Sequence, residues 1–509
     1  MKLSSKMGGK AMKPELFIDE HRANLPTIRI ASVTLENFKS VKHGEVILNC
    51  GRKFIPYGTQ ADILGLYGQN GSGKTALIEA ISILKYLLSG QRVPDSYADC
   101  IDITADYAML TFVFDFQYPH RDEYPTNNDI RKVVYSFKLA RAEKSEDEQD
   151  EIQQVFADSR FNRFLPTDLY RVKIFDEVLK SSGTVCGKKI ILKPFLDTSV
   201  PGSYIEPKTR AKYLAGSLDA QKRVTLGVNK SLAEVQSRSF VFMSEMISFF
   251  RANSNYSPYY QMLAELRVWG KYYLIVVDSK STSSSSLNIG LPVFLGEGPF
   301  VIPVTKSFPA PEEVYEELQK YFNSISLVLT QIVPGLNVGI KDYGQTLLSD
   351  GEEGRLIGLI ANRHGVELPL RAESDGVIKL IATLYCLVSA YCQQSTTVAY
   401  DEFDASIFEY LLGEILQVIQ DSGKGQFIFT SHNMRPLEVL SKDYIWFTTT
   451  DPNNRYTRLA GLGESNNLRR VYYREIAMQD HYDNLYSETK RNMIISAMRK
   501  AGGIFNAEA

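Results

Sequence analysis

The feature that most constrains this 509-residue chain is a glycine-rich octapeptide between an apolar run and an amphipathic one. Its residues are Gly68, Gln69, Asn70, Gly71, Ser72, Gly73, Lys74 and Thr75. The apolar run at 63–67 is typical of a buried strand, and residues 76–88 have helical periodicity. Strand, loop and helix in this order, with the pattern G-x-x-x-x-G-K-[ST], indicate a phosphate-binding loop. A chance match is the alternative, and the flanking elements argue against it.

The residue types in this octapeptide suit a nucleotide. Glycine lets successive backbone N–H groups turn towards an anion, where a side chain would block the approach. A helix that begins near Lys74 adds the positive end of its dipole, and the Lys74 ammonium reaches the β- and γ-phosphates. The Thr75 hydroxyl is a suitable Mg²⁺ ligand. The sequence therefore predicts that ATP and Mg²⁺ are bound here.

Length and composition predict a soluble, cytoplasmic protein of two or three structural units. A net charge of -2 provides no global basic field, so any nucleic-acid surface must be local. Residues 1–13 lack the apolar core of a secretion signal, and residues 377–391 contain Lys379 and are too short for a membrane span. No membrane association is expected. The cysteines show no metal-type pairing, which fits reduced thiols; they are Cys50, Cys100, Cys186, Cys386 and Cys392.

Towards the C-terminus, apolar strands alternate with helices and end in polar residues. Residues 395–400 read as a strand that ends in acids, 407–419 as a helix, and 426–430 as a strand followed by Ser431-His432-Asn433. Such alternation predicts a parallel sheet with ligands at the carboxyl ends of its strands. The strand before the glycine loop must join that sheet, so the middle of the chain is expected to be an insertion.

The expected domain boundaries follow from this arrangement. They are a disordered lead-in at 1–26, the N-terminal half of a split α/β domain at 27–140, an α+β, largely helical insertion at 141–308, the C-terminal half at 309–450, and an extension at 451–509. Strands at 28–35 and 44–48 are expected to form one β-layer with the strand that precedes the loop. A single buried helix is expected within 232–250.

The acids at the end of the 395–400 strand suit ATP hydrolysis. Asp401 would hold Mg²⁺, and Glu402 would polarise the water that attacks the γ-phosphate. Acids also end strands in ordinary turns, but their position after a phosphate loop and before His432 favours the functional interpretation. His432 would contact the γ-phosphate, whereas a lone histidine is more often structural. Ser374 and Gly376, at the start of an apolar helix, would form a second phosphate clamp; a plain helix cap explains Ser374 equally well.

With these motifs in place, the chain resembles the ABC-type ATPase heads of the SMC and OLD-like group. The resemblance covers residues 27–117 and 310–450 and rests on the 28–41 opening, the 68–75 loop, Ser374-Asp375-Gly376, Asp401-Glu402-Phe403-Asp404 and Thr430-Ser431-His432-Asn433. The full Leu-Ser-Gly-Gly-Gln signature of those heads is absent. The resemblance implies the fold of an ABC-type head, a D-loop role for Asp404 beside the nucleotide, and a Q-loop glutamine on Mg²⁺, for which Gln117 is the best candidate.

The resemblance also implies how the heads assemble. In that group two heads sandwich two ATP molecules, and the signature serine of each caps the nucleotide held by the other. A homodimer or higher oligomer is therefore expected, with Ser374 and Gly376 acting on the partner's ATP. ATP would favour the closed pair and hydrolysis would release it.

Within the group, the compact heads are similar to stand-alone anti-phage ATPases such as those of Septu and PARIS. The insertion lacks sustained heptads, and residues 451–509 are too few for the TOPRIM nuclease of OLD proteins. The resemblance implies an abortive-infection ATPase that holds a separately encoded effector, a nuclease or toxin. A phage-derived trigger is a further expected partner.

Other functions stay open on the sequence alone. A DNA-repair or chromosome-maintenance ATPase would bind nucleic acid through basic residues, although such residues are more often a solvated face. They are Lys188, Lys189, Lys193, Lys208, Arg210, Lys212, Lys222 and Arg223, and in the tail Arg469, Arg470, Arg474, Lys490, Arg491, Arg499 and Lys500. A scaffold that binds ATP without hydrolysis is disfavoured by Glu402, and a transporter subunit is the weakest alternative.

Overall fold

The computed structural model describes residues 26–48, 61–118, 129–144, 170–185, 187–200, 205, 207, 219–253, 257–278, 290–295, 298–405, 407–459, 467–478, 485 and 491–507. The expected lead-in up to residue 25 and, among the basic residues, Lys208, Arg210, Lys212 and Lys490 lie outside them.

An antiparallel sheet forms the first layer of the molecule. Its strands run in the order β2-β1-β4-β5-β6-β7, and they are β1 (Thr27–Phe38), β2 (Val41–Ile47), β4 (Tyr107–Gln117), β5 (Asp129–Glu143), β6 (Tyr170–Val185) and β7 (Lys188–Asp197). Along β4 buried residues alternate with more exposed ones. This period of two is expected of a sheet with one face on the core.

A mostly parallel sheet forms the central layer. Its order is β18-β17-β3-β16-β15-β8, with β3 (Asp62–Tyr67), β8 (Leu274–Val277), β15 (Thr397–Tyr400), β16 (Gln426–Thr430), β17 (Ile445–Thr448) and β18 (Tyr456–Thr457). β3 pairs in parallel with β16 and β17, and β15 with β16 and β8. The α/β class and the place of the loop-bearing strand in the parallel sheet are confirmed.

The expectation that β3 would form one layer with β1 and β2 is wrong. All six residues of β3 are buried. Alternate residues face opposite cores: Leu64 and Leu66 lie in one apolar cluster, and Ile63 and Tyr67 in the other. A strand covered on both faces belongs to a central parallel sheet rather than to an outer antiparallel one.

The described residues form ten α-helices. They are α1 (Lys74–Leu88), α2 (Ala220–Val235), α3 (Ser244–Ala252), α4 (Ser257–Tyr272), α5 (Glu312–Ile332), α6 (Asp375–Cys392), α7 (Glu409–Ser422), α8 (Pro436–Val439), α9 (Leu468–Met478) and α10 (Arg491–Ala507), with short 3₁₀ turns at Asp95–Cys100, Leu370–Ala372 and Lys442–Tyr444. α1 shares its core with the antiparallel sheet, whereas α5, α6 and α7 share the opposite core. α1 is therefore enclosed between the two sheets.

Two small β-units complete the described fold. One is the hairpin of β9 (Gly290–Leu295) and β10 (Gly298–Pro303). The other is a sheet in which β13 (Glu353–Arg363) pairs with β11 (Phe308–Ala310), β12 (Leu336–Leu347) and β14 (Val366–Pro369). Of the described helices, α6 is long and apolar enough to cross a membrane by length and composition, but 61% of it is buried inside the protein. Such burial is typical of a core helix.

The middle of the chain is built into both sheets. β6 and β7 extend the antiparallel sheet, and β8 pairs with β15 at the edge of the parallel sheet. Its described residues include five strands beside α2, α3 and α4, so this segment is less helical than expected. The prediction of a single helix within 232–250 is wrong. Ser237 has φ 55° and interrupts the helical backbone, so that α2 ends at Val235 and α3 begins at Ser244. The boundaries at 141 and 308 stay a prediction.

Polar contacts tie the antiparallel sheet to the central one. Arg29 Nη1 donates to the Gly425 carbonyl at 2.9 Å. The Gln426 side chain accepts from Ile30 N at 3.1 Å and donates to Ile30 O at 2.9 Å, where β1 is irregular. These contacts fix the first layer relative to the strands that carry the site.

Candidate functional site

The glycine loop connects β3 to α1 in a conformation that depends on its glycines. Gly68 has φ 152° and Gly73 has φ 96°, values that side-chain-bearing residues rarely adopt. A Cβ on Gly68 would lie 1.7 Å from Thr448 Oγ1, so the backbone is packed closely against β17. In the described chain no side chain caps the N-terminus of α1, and its first turn contains no acid. That helix end is therefore suited to an anion.

Lys74 lies across this loop. Its Nζ donates to Gly68 O at 2.7 Å and to Gln69 O at 3.0 Å, and the residue is only 6% exposed. Burial lowers the pKa of Lys74, and the negative charges of Asp401, Glu402 and Asp404 oppose that shift. The ammonium is thus held near the acids that end β15, as the prediction for a phosphate-contacting lysine requires.

Asp401 and Thr75 meet at the carboxyl end of the parallel sheet. Asp401 is 1% exposed, and its Oδ1 accepts from Thr430 Oγ1 at 2.6 Å and from Thr75 Oγ1 at 3.4 Å. Its Oδ2 is buried and has no hydrogen-bond partner among the described residues. An orphaned buried carboxylate oxygen beside a hydroxyl fits Mg²⁺, which takes one or two carboxylates and completes its shell with water and phosphate.

In the part of the chain that the structure describes, no group of three or more His, Cys, Asp or Glu side chains could hold a metal ion by itself. Thr75 and Asp401 would hold Mg²⁺, which when bound neutralises charge on the β- and γ-phosphates.

Glu402 follows in a strained backbone conformation. Its φ is 51°, in the left-handed region, and its N–H donates to Thr430 Oγ1 at 2.8 Å. Non-glycine residues in this region cluster at functional sites and persist only where surrounding contacts enforce them. Glu402 therefore has the position and the strain of a catalytic residue, and its role stays a prediction.

Asp404 organises the loop after β16. Its carboxylate accepts from His432 N at 3.1 Å and from Asn433 N at 2.9 Å. Although His432 is exposed overall, partial burial of its ring lowers its pKa, and Lys74 adds to that effect. The nearby acids oppose the shift. A neutral imidazole beside Lys74 is compatible with the predicted contact to the γ-phosphate.

Ser374 caps α6. Its Oγ accepts from Val377 N at 3.4 Å, so the plain-cap interpretation is satisfied within the chain. Ser374 is exposed and Gly376 is half-buried. Among the described hydrogen bonds none joins Ser374 to residues 68–75. No described hydrogen bond therefore ties Ser374 to the loop of its own chain, and the predicted action on a partner's nucleotide stays a prediction.

Gln117 is not brought to the site, and its prediction as a metal ligand is wrong for this conformation. It ends β4 opposite Thr27, the first residue of β1. The loop lies near the other end of β1, where Ser40 Oγ donates to Gly71 O at 3.1 Å. At about 3.3 Å per strand residue, the two ends of β1 are on the order of 30 Å apart.

Three residues to which the sequence assigned no role contact the site. Thr430 bonds both Asp401 and Glu402. The hydroxyl of Tyr456 on β18 donates to Gly73 O at 2.8 Å. Lys379 on α6 donates to Glu402 O at 3.2 Å and is 5% exposed. Two of them carried a sequence signal: Lys379 as a charge within an apolar helix, and Thr430 as the first residue of the motif at 430–433.

Solved structures share a weak likeness with this chain. The Smc head domain with an extended coiled coil bound to the C-terminal domain of ScpA, from Pyrococcus furiosus, is 14% identical over 89% of this chain and 100% of that chain, with a TM-score of 0.37. The recombination mediator protein RecF with ATP is 12% identical over 85% of this chain and 100% of that chain, with a TM-score of 0.34. The SMC head domain from Thermotoga maritima is 11% identical over 85% of this chain and 100% of that chain, with a TM-score of 0.34. Such values carry no statement about function.

Comparison with sequence families identifies the family of this chain. No curated protein sequence matches this chain. The model of a family described as "AAA domain, putative AbiEii toxin, Type IV TA system" matches residues 63–438, from the loop-bearing strand to α8. Because this match spans well over half of the chain, the protein belongs to the AAA_21 family of P-loop ATPases.

Proposed function

We propose that this chain is a Mg²⁺-dependent ATPase. The observation that carries the proposal is the meeting of Lys74, Thr75 and Asp401 at the carboxyl end of the parallel sheet, next to Glu402. The loop and Lys74 bind the phosphates, and Glu402 accepts or directs a proton of the attacking water. His432, held by Asp404, contacts the γ-phosphate from the neighbouring strand end.

Hydrolysis requires a second copy of the chain. Ser374 is exposed at the N-terminus of α6 and makes its hydrogen bond locally, so it is accessible to a nucleotide held elsewhere. In the dimer, Ser374 and Gly376 of each copy clamp the ATP bound to the loop of the other. ATP thereby links two nucleotide sites to one closed assembly, which opens after hydrolysis.

The biological role is that of a sensor or scaffold ATPase in a cytoplasmic abortive-infection system. The family description, which includes a toxin of a toxin–antitoxin system, supports this assignment. ATP-dependent closure controls a separately encoded effector, a nuclease or toxin, until a phage-derived trigger acts. Control by closure needs the effector to bind one of the two states better than the other.

The role is tested by purifying the chain from its native operon with its neighbours and weighing the complex by native mass spectrometry. An oligomer with a second protein that has nuclease or toxin activity is the expected result. A bare dimer with no co-purified protein, in the presence or absence of ATP, would contradict control of an effector.

A DNA-directed ATPase is the second candidate, and one structural observation favours it. The edge strand β7 carries Lys188, Lys189 and Lys193, all exposed. Backbone contacts from such lysines make binding strongly salt-dependent. If this candidate is correct, duplex DNA raises the ATPase rate and the increase disappears when all three are changed to glutamine. A rate unaffected by DNA at low salt would exclude it.

A further inference from the structure

Lys379 is a buried cation to which the proposed hydrolysis assigns no task. It lies on α6 and is 5% exposed. Removing an ammonium from water is costly unless hydrogen bonds and opposite charges compensate. The compensation comes from the end of β15, where Nζ donates to Glu402 O at 3.2 Å.

The acceptor of the Lys379 hydrogen bond is the backbone carbonyl of Glu402, the residue with the strained backbone conformation. Glu402 has φ 51°, a conformation that is unfavourable for a non-glycine residue. Both of its backbone polar groups are held: the N–H by Thr430 Oγ1, and the C=O by Lys379 Nζ together with Ala405 N at 3.1 Å. These two side chains approach from different elements, β16 and α6. Together they fix the backbone of Glu402, which determines where its carboxylate points.

We propose that Lys379 is a positioning residue that holds Glu402 in its hydrolysis-competent backbone conformation and joins it to the helix that begins at Ser374. The assignment rests on the proposed function, since it presumes that Glu402 activates water. Lys379 follows Ser374 by five residues, about 7.5 Å along the helix axis. A movement of the start of α6, where the partner's nucleotide would dock, therefore reaches Glu402 through one side chain.

A purely structural role makes a different prediction. Burial lowers the pKa of Lys379, whereas the charges of Asp404, Glu402 and Asp401 oppose this, so the ammonium also balances an acidic cluster. If charge balance were its whole role, its loss would lower stability and nucleotide affinity together with the rate. A positioning role lowers kcat while nucleotide affinity stays the same, because the hydrogen bond of Lys379 goes to Glu402 O and those of Lys74 go to the loop carbonyls.

The test compares Lys379→Met with Lys379→Arg in the full chain, measuring kcat, the Kd of ATP and the melting temperature. For Lys379→Met we expect a loss of kcat of about tenfold or more, from one hydrogen bond to a charged donor. The Kd of ATP stays within about twofold, and the ATP-dependent dimer still forms because Ser374 is unchanged. Lys379→Arg retains a donor and restores part of kcat.

Lys85→Met is the matched control, because Lys85 is a half-buried lysine of α1 whose pKa burial lowers to about 8. Its kcat should equal that of the wild type. An unchanged kcat in Lys379→Met would overturn the assignment and leave the ATPase proposal intact. Parallel losses of stability, affinity and rate, without recovery in Lys379→Arg, would reduce Lys379 to a structural residue. A wild type without ATPase activity would overturn both proposals.

Discussion

The hydroxyl of Thr430 donates a hydrogen bond of 2.6 Å to Asp401 Oδ1, across the ends of two neighbouring parallel strands. The hydroxyl oxygen of Thr430 also accepts a hydrogen bond from Glu402 N at 2.8 Å. One threonine thus orients the predicted metal ligand and the predicted catalytic acid together. With Oδ1 held in this way, the second oxygen of Asp401 is buried without a hydrogen-bond partner among the described residues, as a metal ligand requires.

Thr430→Val should lower kcat by about tenfold, because valine keeps the shape of threonine but removes the hydrogen bonds to Asp401 Oδ1 and from the partly buried Glu402 N. Nucleotide affinity should fall only a few-fold, since the loop is unaffected. Steady-state kinetics and ATP titration measure both quantities. Thr330→Val, at a hydroxyl on α5 that bonds only within its helix, is the control and should behave as the wild type. A Thr430→Val variant with normal kcat would show that this hydroxyl does not orient the acids.

Glu402→Gln should abolish turnover and trap the ATP-bound dimer. The amide cannot accept the proton of the attacking water, while binding by Lys74 and Thr75 is preserved. Size-exclusion chromatography with light scattering should show a dimer that persists with ATP and Mg²⁺. If Glu402→Gln hydrolyses ATP at the normal rate, the catalytic assignment is wrong.

Composite sites can be tested by mixing two inactive variants. Lys74→Ala should abolish nucleotide binding, whereas Ser374→Arg should bind ATP but neither dimerise nor hydrolyse it. A mixed dimer contains one intact site, formed by Lys74 of one copy and Ser374 of the other. Mixing should therefore restore part of the ATPase rate. Each mixed dimer should reach up to about half of the wild-type value, because one of its two sites is intact.

The control is the double variant that carries Lys74→Ala and Ser374→Arg together, because its mixed dimers with either single variant contain no intact site and should stay inactive. No recovery on mixing, with both variants folded, would place Ser374 and Lys74 in independent sites.

Asp115 should make stability depend on pH between about 4 and 6. Burial raises its pKa to about 6; Lys132 opposes this and Asp62 adds to it. The folded state then binds the proton more tightly than the unfolded chain, so this contribution is present at low pH and is lost as pH rises through 6. Asp115→Asn should be more stable than the wild type at pH 7, on the order of 1 kcal/mol, and equal to it near pH 4.

Urea unfolding at several pH values measures this difference. Asp421→Asn, at an exposed position of α7, should leave the pH profile unchanged. A constant difference between Asp115→Asn and the wild type from pH 4 to 7 would contradict the assigned titration.

The phosphate loop, the acids that end β15 and the parallel sheet could all be predicted from the sequence. Each depends on contiguous residues: glycines with positive φ, a helix start, and an apolar strand followed by carboxylates. Because residues that are consecutive in the sequence are also neighbours in space, the local sequence pattern predicts their arrangement.

The tertiary structure alone decided which distant residues meet at the site. It brought Thr430 to Asp401, directed Lys379 to Glu402, and placed Gln117 at the far end of β4. It also placed β8 beside β15 and β3 in a different sheet from β1. These outcomes depend on strand order and register, which are set by how whole apolar faces pack and not by any local run of residues. A lysine in an apolar helix shows that something must compensate its charge, but only the packing shows what does.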